Sequence, residues 1–71
     1  MSPDKLVYMA NQIATFFKSQ PDADKAARVA AHIKDFWEPR MREQFFALMD
    51  AGQLGIDPLV VDAMTRLRQP A

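Results

Sequence analysis

The fold is decided by the stretch His32-Ile33-Lys34-Asp35-Phe36-Trp37-Glu38-Pro39-Arg40-Met41-Arg42, in which one amphipathic helix ends and another begins. This stretch holds the only Trp and the only His of the chain. Pro39 lacks a backbone N–H and disfavours helical geometry at Glu38, but it suits the first position of a new helix. The sequence therefore predicts a sharp corner between two helices at Glu38.

Capping signals on either side of this corner predict an all-α fold, a small bundle of four short helices at about residues 3–19, 23–37, 39–51 and 58–68. Ser2 and Asp57 each precede a Pro and are suited to cap the first and fourth helices. Asp22 is the predicted cap of the second helix, and Gly52 is the predicted left-handed end of the third. Residues 1–71 are expected to form a single helical domain.

The composition excludes several kinds of site. The chain of 71 residues has no Cys and a single His, so it offers no ligands for an iron–sulfur cluster and almost none for structural zinc. Its two glycines match no phosphate-binding loop. We therefore expect no cofactor and no metal ion in this chain, and no catalytic residues.

The charge balance bears on the kind of partner. Nine basic and nine acidic residues give a net charge of zero, whereas nucleic-acid binders usually carry a basic excess. No apolar run approaches the roughly 20 residues that span a bilayer, and no signal-peptide pattern is visible. The expectation is a cytoplasmic protein that binds neither nucleic acid nor membrane.

The apolar residues of the first two helices form stripes at a rotation of about 100° per residue. The stripes comprise Leu6, Met9, Ala10, Ile13, Phe16 and Phe17 in the first helix, and Ala26, Val29, Ala30, Ile33, Phe36 and Trp37 in the second. In the third helix the apolar arc spreads over about 160°, wider than one core face requires. Val61 and Met64 widen the arc of the fourth helix in the same way. We therefore expect an exposed apolar docking face on the third and fourth helices.

A partner interface is predicted at the corner and along this face. Trp and Arg are enriched at binding hot spots, and Arg40 and Arg42 gain nothing from the dipole at a helix N-terminus. An acidic group on another chain, or a phosphate, would explain both Arg residues. The alternative is that Trp37 fills the core and that both are solvated. The predicted interface residues are Trp37, Pro39, Arg40, Arg42, Phe46, Met49, Val61 and Met64.

His32 lies at the edge of the second stripe and has two interpretations. A general base or a metal ligand needs partners, and the chain has no Cys, no second His and no Ser-His-Asp spacing. We therefore favour a boundary His that is hydrogen-bonded near the surface.

Three blocks of sequence resemble a known family. They are Leu6-Val7-Tyr8-Met9-Ala10-Asn11-Gln12-Ile13-Ala14 with Phe16-Phe17, then His32-Ile33-x-x-Phe36-Trp37-x-Pro39-Arg40-Met41-Arg42, and finally Asp57-Pro58-Leu59-Val60-Val61. Together, in this order, they resemble the delta subunit of the soluble NAD-dependent molybdenum/tungsten formate dehydrogenase.

The resemblance implies a non-catalytic accessory subunit that stabilises or helps assemble a cytoplasmic enzyme complex, through contact with its molybdenum-bearing alpha subunit. It also implies that the larger subunits hold a molybdenum or tungsten pterin centre, iron–sulfur clusters and FMN, and that they oxidise formate to carbon dioxide and reduce NAD. The alternative is a free-standing helical regulatory or nucleic-acid-binding module that uses the corner from Trp37 to Arg42.

Overall fold

The computed structural model describes residues 1–69, which form four α-helices and no strand. In chain order these are α1 (Pro3–Lys18), α2 (Lys25–Phe36), α3 (Pro39–Asp50) and α4 (Pro58–Arg68). The all-α prediction is confirmed, and every predicted helix end agrees to within two residues. The last two residues of the predicted domain lie outside the described part of the chain.

The caps of α1 and α4 are those predicted from the sequence. The Ser2 hydroxyl accepts a hydrogen bond from the Lys5 N–H at 3.3 Å, and the Asp57 carboxylate accepts one from the Leu59 N–H at 2.9 Å. Each cap satisfies a backbone donor that has no partner inside its helix. Local chemistry is therefore sufficient to start both helices.

The C-terminus of α3 closes in a Schellman motif around Gly52. Gly52 has a positive φ of 77°, its N–H donates to the carbonyl of Met49 at 3.1 Å, and the Gln53 N–H donates to the carbonyl of Leu48 at 3.0 Å. This left-handed conformation costs glycine little because it has no Cβ. The predicted left-handed end of the third helix is confirmed.

The start of α2 differs from the prediction. The helix begins at Lys25 and is capped by Asp24, whose carboxylate accepts a hydrogen bond from the Ala27 N–H at 3.2 Å. Asp22 instead forms an ion pair with Arg28 at 3.5 Å. Two Asp residues at alternate positions are both good N-caps, and the sequence alone did not distinguish them.

The core lies where α2 packs against α4, with α1 contacting all three other helices. Its largest fully buried side chains are Leu6, Val29, Ile33, Phe45, Val60 and Met64. Residues from all four helices therefore share one hydrophobic centre, as a domain of this size requires.

The predicted stripes of α1 and α2 are wrong at two positions. Phe16 is 58% exposed and Phe36 is 73% exposed, whereas Val7 and Ala14 are buried. The buried side of α1 is therefore rotated away from Phe16. The reason is tertiary, because α4 and its preceding linker cover the other flank of α1.

The predicted exposure of Met64 is also wrong, since its side chain is completely buried. Because α4 packs mainly against α2, its buried side is centred on Val60 and includes both Ala63 and Met64. Leu59 and Leu67 are only half-buried and pack at the edge of the core.

The linker between α3 and α4 is fastened to α1 by Asn11. The Asn11 side-chain amide donates to the Gly55 carbonyl at 2.8 Å, and the Asp57 N–H donates to the Asn11 side-chain oxygen at 2.9 Å. Lys18 adds an ion pair to the Asp57 carboxylate. The polar side of α1 thereby positions the start of α4.

Candidate docking surface

Trp37 belongs to the core rather than to the exposed surface. It is the C-cap of α2, its N–H donates to the Ile33 carbonyl at 2.9 Å, and only 6% of the residue is exposed. Its backbone is extended at this point, so the chain turns here toward α3. Of the two interpretations of Trp37, its place in the core is the one observed, and its contact with a partner stays a prediction.

A groove runs beside the corner and brings together three of the predicted interface residues, Pro39, Arg42 and Phe46. Its volume is about 470 Å³. It is lined by Lys34 from α2, by Pro39, Arg42, Glu43 and Phe46 from α3, and by Arg66, Leu67 and Gln69 at the end of α4. We call this surface the corner groove. Arg40 is exposed but does not line it.

Arg66, which lines the corner groove, and Arg68 both form ion pairs at the end of α4. Arg66 donates to both carboxylate oxygens of Asp24, at 2.8 and 2.7 Å, and also bonds Asp62 at 3.1 Å. Arg68 donates twice to Asp50, at 2.7 and 2.6 Å. These two-pronged hydrogen bonds lower the pKa of Asp24 and of Asp50 below the ordinary carboxyl value.

The Arg68 guanidinium also covers Phe46. Its central carbon lies 4.8 Å from the centroid of the Phe46 ring, within the range of a cation–π contact. Because Arg68 is held in place by Asp50, one side of this half-buried ring is already occupied. Phe46 therefore offers only its remaining surface to a partner through the corner groove.

The other cations at the corner are not neutralised in this way. Among residues 1–69, Lys34, Arg40 and Arg42 form no ion pair with a carboxylate. Arg42 is nevertheless held in position, because its guanidinium donates to the backbone carbonyl of Lys34 at 3.2 Å. A positioned, unneutralised Arg loses little side-chain freedom when it meets a carboxylate.

Met49 and Val61 lie apart from the corner groove. They line a shallow pocket of about 360 Å³ together with the linker residues Gln53, Leu54, Gly55 and Ile56. Leu54 is 86% exposed and Val61 is 39% exposed. The structure therefore divides the predicted docking face into two separate areas and removes Met64 from both.

A third area was missed in the sequence analysis. Phe16 and Phe36 are exposed on the paired helices α1 and α2, and His32 lies between them. We call this surface the α1–α2 face. The signal was present in the sequence, since the apolar residues of α1 extend through an arc of about 180° when Val7 and Ala14 are counted with Phe16. Such an arc is too wide for one core face.

His32 occupies the boundary position that its place in the sequence predicts, and it is half-buried. It stacks on Phe36, with ring centroids 4.6 Å apart, and packs edge-on against Phe17 at 6.0 Å. Its predicted hydrogen bond is not found among residues 1–69. Aromatic stacking holds the imidazole instead.

The family model described as NADH-dependent formate dehydrogenase delta subunit FdsD matches residues 5–64. The chain belongs to this family. No curated protein matches the chain.

The FdsD match begins in the first turn of α1 at Lys5, includes α2 and α3 completely and ends within α4 at Met64. It therefore contains the corner and the α1–α2 face, while the last three residues that line the corner groove follow it. In this FdsD-family chain, residues 1–69 present no group of three or more His, Cys, Asp or Glu side chains that could hold a metal ion. No helix in the same range is long and apolar enough to cross a membrane.

Proposed function

We propose that this chain is a non-catalytic accessory subunit of a cytoplasmic NAD-dependent formate dehydrogenase, which it stabilises or helps to assemble. The observation that carries the proposal is the family match over residues 5–64. In the proposed complex the larger subunits oxidise formate to carbon dioxide and reduce NAD. The molybdenum or tungsten pterin centre, the iron–sulfur clusters and FMN belong to those subunits.

The chemistry of the chain supports a role without catalysis. Asp24, Asp50 and Asp57 have lowered pKa values because they accept hydrogen bonds in ion pairs and caps, although burial opposes the shift of Asp57. A general base at neutral pH needs the opposite shift, toward a higher carboxyl pKa. These carboxylates therefore suit the stabilisation of helices rather than proton transfer.

The proposed contact is with the alpha subunit, through the corner groove and the area beside it. Arg42 would pair with a carboxylate of the alpha subunit, because it is positioned by the Lys34 carbonyl and carries no ion pair of its own. Pro39 and Phe46 would supply apolar contact on either side of it. Arg40, Met49 and Val61 would extend the contact around α3 and the linker, while Trp37 and Met64 support the surface from the core.

The experiment that tests the function is co-purification from the native cytoplasm with a tag on this chain. We expect three larger subunits to be recovered together with molybdenum or tungsten, iron and flavin, as detected by mass spectrometry, metal analysis and absorbance. Recovery of the chain without these subunits, or with nucleic acid, would contradict the accessory role. Formate-dependent NAD reduction should be found only in the fraction that contains the larger subunits.

The proposed contact is tested separately with Arg42→Glu. This change replaces a positioned cation with an anion, and it should reduce recovery of the alpha subunit at least about tenfold. Lys5→Glu is the control, because Lys5 is also an exposed cation and does not line the corner groove. Normal recovery with Arg42→Glu would disprove the contact without affecting the accessory role.

A further inference from the structure

The α1–α2 face is an exposed aromatic surface on the opposite flank of α2 from the corner groove. Phe36 is 73% exposed and Phe16 is 58% exposed. Between the two helices lies an almost wholly apolar pocket of about 260 Å³, lined by Gln12, Ile13, Phe16, Phe17 and His32. It shares no lining residue with the corner groove. Exposed apolar surface of this kind usually marks a contact with another chain.

The charges along this side of α2 are arranged in a particular order. At about 100° per residue, Arg28, His32, Asp35 and Phe36 fall within an arc of about 100° on the helix surface. Arg28 and Asp35 carry opposite charges and are separated by about 10.5 Å along the helix axis. The midpoint between them lies beside His32. This side of α2 is therefore positive at one end, negative at the other and aromatic between them.

Asp35 is open to an external partner, and Arg28 is only partly engaged within the chain. The Asp35 carboxylate forms no ion pair or hydrogen bond within residues 1–69. Arg28 contacts Asp22 only through its Nε, at 3.5 Å, and its central carbon lies 5.9 Å from the centroid of the Phe17 ring. The two terminal nitrogens of the guanidinium make no hydrogen bond in the described part of the chain.

We propose that the α1–α2 face binds a second copy of this chain about a two-fold axis, with the two α2 helices antiparallel. An axis beside His32 places Arg28 of each copy opposite Asp35 of the other, because both residues are equally far from the axis. The exposed ring of Phe36 then lies next to the Arg28 guanidinium of the other copy, an arrangement that favours a cation–π contact. A two-fold interface requires such self-complementary charges.

The α1–α2 face is small, as is typical of weak interfaces. The 16 residues of α1 and the 12 residues of α2 correspond to lengths of about 24 and 18 Å, and each helix is about 10 Å wide. The face therefore covers roughly 400 Å² per copy, below the roughly 800 Å² per partner of a standard interface. We expect a dissociation constant of about 10 to 100 μM. The net charge of zero adds no overall repulsion between copies.

Self-association through the α1–α2 face goes beyond the proposed function and does not depend on it. The corner groove stays open in the dimer, because its lining residues belong to the other flank of α2 and to α3 and α4. One dimer can therefore hold two partners at the same time.

The test is sedimentation equilibrium of the full chain from about 5 μM to 1 mM, a range that spans the expected dissociation constant. The wild-type chain should change from monomer to dimer across this range. Arg28→Asp or Asp35→Arg alone places like charges opposite each other, and each should raise the dissociation constant at least about tenfold. The double variant Arg28→Asp/Asp35→Arg restores both ion pairs with reversed sign. Its dissociation constant should return to within about threefold of the wild-type value.

Matched controls lie at the corner. Arg40→Asp and Glu43→Arg make the same changes of charge at exposed residues of α3 and should leave the dissociation constant unchanged. Phe36→Ala should weaken the dimer without any change in charge. Far-UV circular dichroism verifies that each variant remains helical. A wild-type chain that stays monomeric at the highest concentration, or a double variant as weak as the single ones, would overturn the proposal.

Discussion

Trp37 lies edge-on against Phe45, with the ring centroids 5.8 Å apart and the ring planes at 64°. This contact joins the end of α2 to the middle of α3 across the corner at Glu38. Trp37 is 6% exposed and Phe45 is completely buried. The corner that carries Arg40 and Arg42 is therefore supported by packed aromatic rings, which restrict the angle between the two helices.

Replacing Trp37 by Ala should destabilise the fold strongly. Removal of a buried aromatic side chain leaves a cavity and typically costs about 3–5 kcal/mol, which is a large part of the stability of a 71-residue domain. Urea unfolding followed by far-UV circular dichroism measures the effect. The control is Phe36→Ala at the neighbouring residue, which is 73% exposed and should cost less than about 1 kcal/mol. Equal losses would contradict the assignment of Trp37 to the core.

Replacing Asn11 by Ala should loosen the start of α4. The change removes both hydrogen bonds that fasten the linker to α1 and leaves the half-buried N–H of Asp57 without a partner, at a cost of about 1–3 kcal/mol. Hydrogen exchange at the Asp57 amide should therefore be faster in the Asn11→Ala variant than in the wild-type chain, while exchange at the amides of the core helices changes less. Gln12→Ala, at the next and exposed position, is the control and should leave this amide unchanged.

Replacing Gly52 by Ala tests the end of α3. The φ of Gly52 is 77°, and a Cβ placed there meets no atom within 4 Å. The free energy of unfolding should therefore fall only because of backbone conformation, by about 1–2 kcal/mol for an L-residue in the left-handed region. Thermal unfolding measures it. Gly52→Asn should cost less than Gly52→Ala, because Asn tolerates this conformation better, and the reverse order would exclude the explanation.

The fold should lose stability in acid. Asp24 and Asp50 have pKa values below the ordinary 3.8 because of hydrogen bonds from Arg66 and Arg68 respectively. Burial raises the pKa of Asp57, but hydrogen bonds from Lys18 and from the Leu59 N–H outweigh it and leave a net lowering. Because each folded pKa lies below the unfolded one, the stabilisation is fully present above the ordinary value and is lost as the pH falls through the folded values.

The midpoint of urea unfolding should therefore stay constant from about pH 7 to pH 5 and fall below about pH 4. Asp50→Asn removes one of these carboxylates and should make the fall shallower. Asp4→Asn is the control, because Asp4 forms no ion pair in the described part of the chain. If the urea concentration at the unfolding midpoint increases as the pH is lowered below about 4, the assigned direction of the pKa shifts is wrong.

At the corner, the sequence predicted the local backbone structure but not which side chains are buried. Pro39 predicted both the end of α2 and the start of α3, because the effect of Pro on the backbone is local. Trp37 has two interpretations from the sequence alone, in the core or at an interface, because its burial depends on Phe45, which approaches it from the next helix. The sequence pointed to Arg42 as a contact residue, which stays a prediction, and only the structure shows its hydrogen bond to the Lys34 carbonyl.

By itself the sequence determined the four helices, the caps at Ser2, Gly52 and Asp57, and the family. These depend on short-range backbone chemistry and on the order of residues along the chain. Only the tertiary structure decided that Met64 is buried and that Phe16 and Phe36 are exposed. The physical reason is that helical periodicity shows which side chains share a side of a helix, whereas the part of that side that is covered depends on where the other helices pack.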